Sequence, residues 1–240
     1  MFTVTQTESR QLGVLLNGEP DSLLAWVEEL DLRRVFVCVG IIALGTGLYG
    51  TVMGWWRAPL QGLYVCLKFP TIILLTTLGN ALLNAMLAPL LGLNLGLRQS
   101  FLAILLSFTI SSAILGAFSP LVGFIIWNAP PMSVDMRQAN GVYSWIMLTH
   151  VAVIAFAGIA GNLRLLQLLQ RFSRTRAIAR RVLFAWLAGN LFLGSQLSWI
   201  LRPFIGSPGL AVQFLRKDAF HGNFYETVFG SFLQILRIHN

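Results

Sequence analysis

Few residues in this chain have the type and placement to do chemistry. His150 is the histidine that falls inside an apolar run, out of three in the sequence. An ionisable group within a membrane segment is a functional candidate by default: it can ligate a haem or pigment, or relay protons. Against haem, no second intramembrane histidine completes a bis-histidine pair. Against a flat pigment, Ile146 stands one turn earlier, where a small residue would better admit a macrocycle. The other reading is a neutral histidine bonded to a neighbouring helix.

Asn80 and Asn84 come next, one turn apart on one helical face. They could line a polar path with Ser111, Ser112 or Gln196. They could equally hold helices together, at roughly 0.6 to 2 kcal/mol each. Ion coupling usually calls for a carboxylate or a basic group at mid-membrane, and all nine acidic residues lie outside the apolar runs. Hydrolytic chemistry has less support. No HExxH, GxSxG, SxxK or GxxxxGK[ST] occurs, and Ser144 and His150, six residues apart, sit on different helical faces. The residues point away from an enzyme, and no cofactor or metal site is expected. Cys38 and Cys66 read as small buried hydrophobes, with neither CxxC spacing nor histidine partners.

The elements carrying these residues belong in a membrane. Hydrophobic residues make up 56% of the chain and charged ones 11%, with mean hydropathy +0.72; soluble domains carry about 25% charged residues. Six segments read as membrane. They resolve into five spans, near residues 35–56, 71–92, 100–127, 142–166 and 182–201, and one terminal surface helix. Each span meets the roughly 20 apolar residues that a bilayer core of about 30 Å requires. Residues 58–70, APLQGLYVCLKFP, read as a short surface helix, because Lys68 and Pro70 make a poor start for a deep one. The opening residues do not read as a signal peptide, so the first span is expected to serve as the insertion signal.

Within the first span Ala43, Gly47, Gly50 and Gly54 form a stripe of small residues, the pattern that lets helix backbones approach closely in lipid. Trp55, Trp56 and Arg57 close that span as an interfacial belt. Ahead of it, DSLLAWVEELDLRR predicts an acidic amphipathic helix over residues 21–32. In the tail, Phe224, Val228, Phe232 and Ile235 predict a second. The second and third spans align without gaps from Ile73 and Ile104, matching Pro89 to Pro120 and Gly92 to Gly123. That is the signature of an inverted pair, or a chance match between apolar alphabets.

The net charge is +8, but its placement argues against nucleic acid. Six arginines, Arg164, Arg171, Arg174, Arg176, Arg180 and Arg181, crowd the joint between the fourth and fifth spans, the pattern of a cytoplasmic loop. With five spans, the amino-terminal side holds ten Lys/Arg and the other side seven. The expected orientation is amino end inside and carboxyl end outside. Glu28, Glu29 and Asp31 would then share a side with the arginines and could dock on them, unless the arginines simply bind lipid phosphate.

The expected fold is all-α: a polytopic integral membrane helical bundle of about five transmembrane helices with amphipathic interfacial helices at both ends. Residues 1–34 form a cytoplasmic polar segment with the acidic helix, 35–203 the bundle, and 204–240 the tail. Span count, the inside amino end and the pair around LKFPTIILL and APLLG resemble bacterial members of the Yip-type multi-span family, over about residues 60–200. The DLYGP-like segment typical of eukaryotic members is absent, which removes the ground for a trafficking role. SWILRPFIGSPG followed by GNFYETV resembles a tail shared by bacterial membrane proteins of unassigned function. Together these suggest a non-catalytic inner-membrane protein, a structural or accessory subunit of a complex. Its partners would be lipids and other membrane proteins or further copies of itself. The alternative is a permease-like protein moving a small or lipidic solute through the inverted pair.

Overall fold

A computed structural model describes residues 31–131, 136–206 and 209–226. Among them lie five long α-helices and no strand: α1 (Leu32–Trp55), α2 (Pro59–Leu90), α3 (Leu97–Trp127), α4 (Met136–Phe172) and α5 (Arg176–Ile200). The shortest has 24 residues, roughly 36 Å at 1.5 Å per residue. All five are long and apolar enough to cross a bilayer. The chain is an all-α, multi-pass membrane bundle.

The helix ends follow local chemistry. Asp31 caps α1, its carboxylate accepting the Arg33 N–H at 2.9 Å and pairing with Arg34 at 3.3 Å. Pro59 opens α2, where a missing N–H costs nothing. At its other end Gly92 takes φ +87. The Leu93 N–H then bonds the Ala88 carbonyl at 2.9 Å and the Gly92 N–H bonds Pro89 at 3.1 Å, a Schellman closure. Thr175 caps α5.

α1, α2 and α3 pack mutually; α4 lies on α3, α5 lies on α2, and α4 meets α5 only sparsely. The hairpin of α1 and α2 is packed backbone to backbone. A side chain at Gly50 would stand 2.6 Å from the Val65 carbonyl oxygen, and one at Gly54 the same distance from that of Gln61. Gly47 lies against the Cys66 carbonyl, which Pro70, lacking an N–H, leaves without its helical partner. Gly45 and Gly116 bring α1 and α3 equally close.

Two expectations need correction here. Residues 58–70 are not a separate surface helix: α2 runs unbroken from Pro59 through Pro70. The glycines of α1 cover the backbone there and keep the segment inside the bundle. Nor does Ala43 belong to the packing stripe, for it is exposed. One turn from Gly47, the close neighbour of α1 is α3, reached through Gly45 on another face.

The belt is also split, with Trp55 outward and Trp56 turned in to donate to the Pro130 carbonyl at 3.0 Å. The equivalence of spans two and three breaks at one matched pair, since Gly92 ends a helix with positive φ while Gly123 is mid-helix in α3. Glu28, Glu29 and most of the residues expected to form the two amphipathic helices fall outside the described residues.

Candidate functional site

One face of α2 is polar from end to end. Gln61, Lys68, Thr76, Asn80 and Asn84 recur at steps of seven, eight, four and four, so they share a face. All are buried: Lys68 is 1% exposed, Asn80 and Asn84 0%. The face looks onto α5 and the chain that follows it. Asn80 sits against Gly189, Leu193 against Gly79, Thr76 against Gly194, and Ile178 against Gly92. This antiparallel register brings Trp186 to the level of Asn84.

The middle of this seam lacks internal hydrogen bonds. Both amide atoms of Asn80 and of Asn84, the Thr76 hydroxyl, the Trp186 indole N–H and the Asn190 carbonyl oxygen have no partner among the described residues. A buried polar group left so costs roughly 1 to 3 kcal/mol. The seam therefore suits a hydrogen-bonding guest or a polar neighbour. It is not the path expected from sequence, because Ser111 donates to the Ala157 carbonyl on α4 at 3.0 Å. Gln196 is half-buried on α5, and Ser112 lies where α3 meets Gly45.

At the far end, the seam grips the chain leaving α5. Lys68 Nζ donates to the Pro203 carbonyl at 3.0 Å and lies 5.0 Å from the centre of the Phe214 ring. Gln61 Nε2 donates to the Pro203 and Phe204 carbonyls at 3.0 and 2.7 Å. Arg57 donates to Leu210 at 2.8 Å. The tail is thus folded onto the bundle from its first residue.

Arg202 stacks on Trp199 and pairs with Asp218 at 3.0 Å. A backbone hydrogen bond first, and Arg202 second, hold the Asp218 carboxyl below its ordinary value. A depressed carboxylate contributes stability above the ordinary carboxylate range and loses it as pH falls through the folded value. Acidification below pH of about 4 should therefore loosen residues 202–218 before the helices. Hydrogen exchange at Ala219, whose N–H bonds Arg216, would detect it; exchange unchanged with pH would contradict it.

His150 bonds a neighbouring helix. Its Nδ1 lies 3.0 Å from the Tyr49 hydroxyl on α1, with the two rings edge to face. Ser144 instead donates to the Asn140 carbonyl. The six arginines line the end of α4, the turn 173–175 and the start of α5; Arg171, Arg174, Arg176, Arg180 and Arg181 are exposed and Arg164 donates to Gln167. Asp31, placed with the acidic helix from sequence, caps α1 beside Arg34.

Sequence reasoning passed over Tyr49, Lys68, Thr76, Trp186 and Asn190. For Lys68 the signal was present, since it continues the heptad-like step from Gln61 towards Thr76. It was obscured by treating Pro70 as a break. No protein-family model, no curated protein and no solved structure matches the chain.

Proposed function

We propose that this chain is a non-catalytic subunit of a membrane assembly, bearing a groove between α4 and α5 for another membrane helix. The reading includes an inner-membrane location with the amino end and the arginine-rich turn cytoplasmic, and kinship with the Yip-type proteins. What supports it is uneven burial. Within their most apolar stretches α4 and α5 are each 22% buried, against 39% to 56% for α1, α2 and α3. Between them a groove of about 400 Å³ runs past Ala155, Gly158, Asn162 and Leu187. A side chain at Gly158 would meet nothing within 4 Å, and the Asn162 carbonyl oxygen has no partner. Helices associate in lipid through such small residues and single amides.

The test is Gly158→Cys in a chain carrying Cys38→Ser and Cys66→Ser, treated with bifunctional thiol and amine cross-linkers in native membranes. A discrete adduct, weakened by Asn162→Leu, is the expected result. A mass twice that of the chain would identify a second copy. Monomer alone with every spacer length means that the groove holds lipid.

The second reading, solute passage, rests on the unpartnered amides of the α2–α5 seam. Asn84→Cys in the same background should then react with a membrane-impermeant thiol reagent. Unreactive thiol would leave Asn80 and Asn84 as helix-pairing groups.

A further inference from the structure

A second cavity lies further along α4, walled also by α1, α2 and the chain after α5. It measures about 230 Å³ and is lined mainly by Met53, Phe69, Met147, Phe204 and Ile205, with His150 in its wall. Met147 and Val151 of its wall are also exposed on the outside of the bundle. Tyr49, the partner of His150, lies six residues from the end of α1 at Trp55, roughly 9 Å below that end, so the histidine stands inside the span. His150 is 2% exposed and its Nε2 has no partner.

The hydrogen bond on the other nitrogen decides what Nε2 offers. A neutral imidazole carries one donor and one acceptor, assigned by the bond that one of them makes. Tyr49 is fully buried and its hydroxyl bonds His150 Nδ1. A phenol is the stronger donor of the two and an imidazole nitrogen the stronger acceptor, so the hydroxyl donates to Nδ1. The hydrogen then sits on Nε2. Apart from His150 and Ser198 the wall is apolar, and of these two only His150 presents a buried nitrogen without a partner.

We propose that it binds an apolar, membrane-dissolved molecule through a carbonyl oxygen that accepts the hydrogen bond from His150 Nε2. The volume suits a substituted six-membered ring, since a cavity of about 150 Å³ takes up benzene. Methionine and phenylalanine walls favour a flat, polarisable body. Two sources of such a carbonyl dissolve in a bilayer: the ring of a quinone and the ester of an acyl lipid.

The experiment titrates the full chain, in nanodiscs, with three probes of equal tail length: a decyl-substituted benzoquinone, methyl decanoate and decane. Saturable binding of the quinone or the ester, at least tenfold tighter than decane, is expected, and whichever binds names the source. His150→Leu should abolish that preference while Ser198→Ala keeps it. Should His150→Leu fail to fold, the imidazole ¹⁵N spectrum of the unaltered chain decides. The Nε2 resonance should move with the carbonyl probe and stay fixed with decane. Equal binding of all three probes, no saturable binding, or an unmoved Nε2 resonance overturns the proposal.

Discussion

Replacing Gly50 by leucine should break the α1–α2 hairpin and cost about 3 kcal/mol or more, the upper range for overpacking. The reason is backbone contact. Even a methyl group at Gly50 would stand 2.6 Å from the Val65 carbonyl oxygen and 3.0 Å from its carbon, and carbonyl groups of a helix cannot rotate aside. The damage should spread, because this hairpin also holds Gln61 and Lys68 in place. Thermal unfolding in detergent should drop by roughly 10 °C, taking about 2 to 4 °C per kcal/mol for a chain of this size. Ala43→Leu is the matched control: Ala43 is exposed, so the change should stay within about 0.5 kcal/mol. Equal melting of the two variants would show that the hairpin is not packed backbone to backbone.

The contrast between those two positions shows how far the sequence could be read. Apolar run length is a property of each helix alone, so the five spans were legible, with ends at Trp55 and Trp127 close to those expected. The small-residue stripe was legible as a contact, but not its extent. Ala43 and Gly47 share a helical face, yet which neighbour each meets depends on the crossing with α3. Pro70 misled for a related reason. A proline removes one helical hydrogen bond and crowds the carbonyl four residues back, and here Gly47, far away in sequence, packs the Cys66 carbonyl against α1. The buried position of Lys68 follows from that and was hidden with it. The His150–Tyr49 bond spans 101 residues, and no local pattern announces such a pair. The bond to another helix was foreseeable; its partner was not.

Substituting Lys68→Met together with Gln61→Leu should free the carboxyl-terminal segment while leaving the five helices folded. Lys68 and Gln61 share one acceptor, the Pro203 carbonyl, at 3.0 Å each, and Gln61 reaches Phe204 as well. Each single change leaves Pro203 one donor, so Lys68→Met should act weakly and Gln61→Leu should cost only its bond to Phe204. The double change strands two carbonyls in an apolar setting, at roughly 1 to 3 kcal/mol apiece. The pair should therefore be non-additive by about 1 kcal/mol or more. Amide exchange of residues 204–206 should rise at least tenfold in the double variant, while the α1–α3 core keeps its protection. If exchange does not change, Arg57 and Arg202 alone hold the tail. Phe204 and Ile205 also wall the cavity beside His150, so releasing them should weaken binding of a carbonyl probe there, although neither Lys68 nor Gln61 lines that cavity. Loss of tail protection without any change in probe binding would mean that the cavity is shaped by α4 and α1 and that the tail merely covers it.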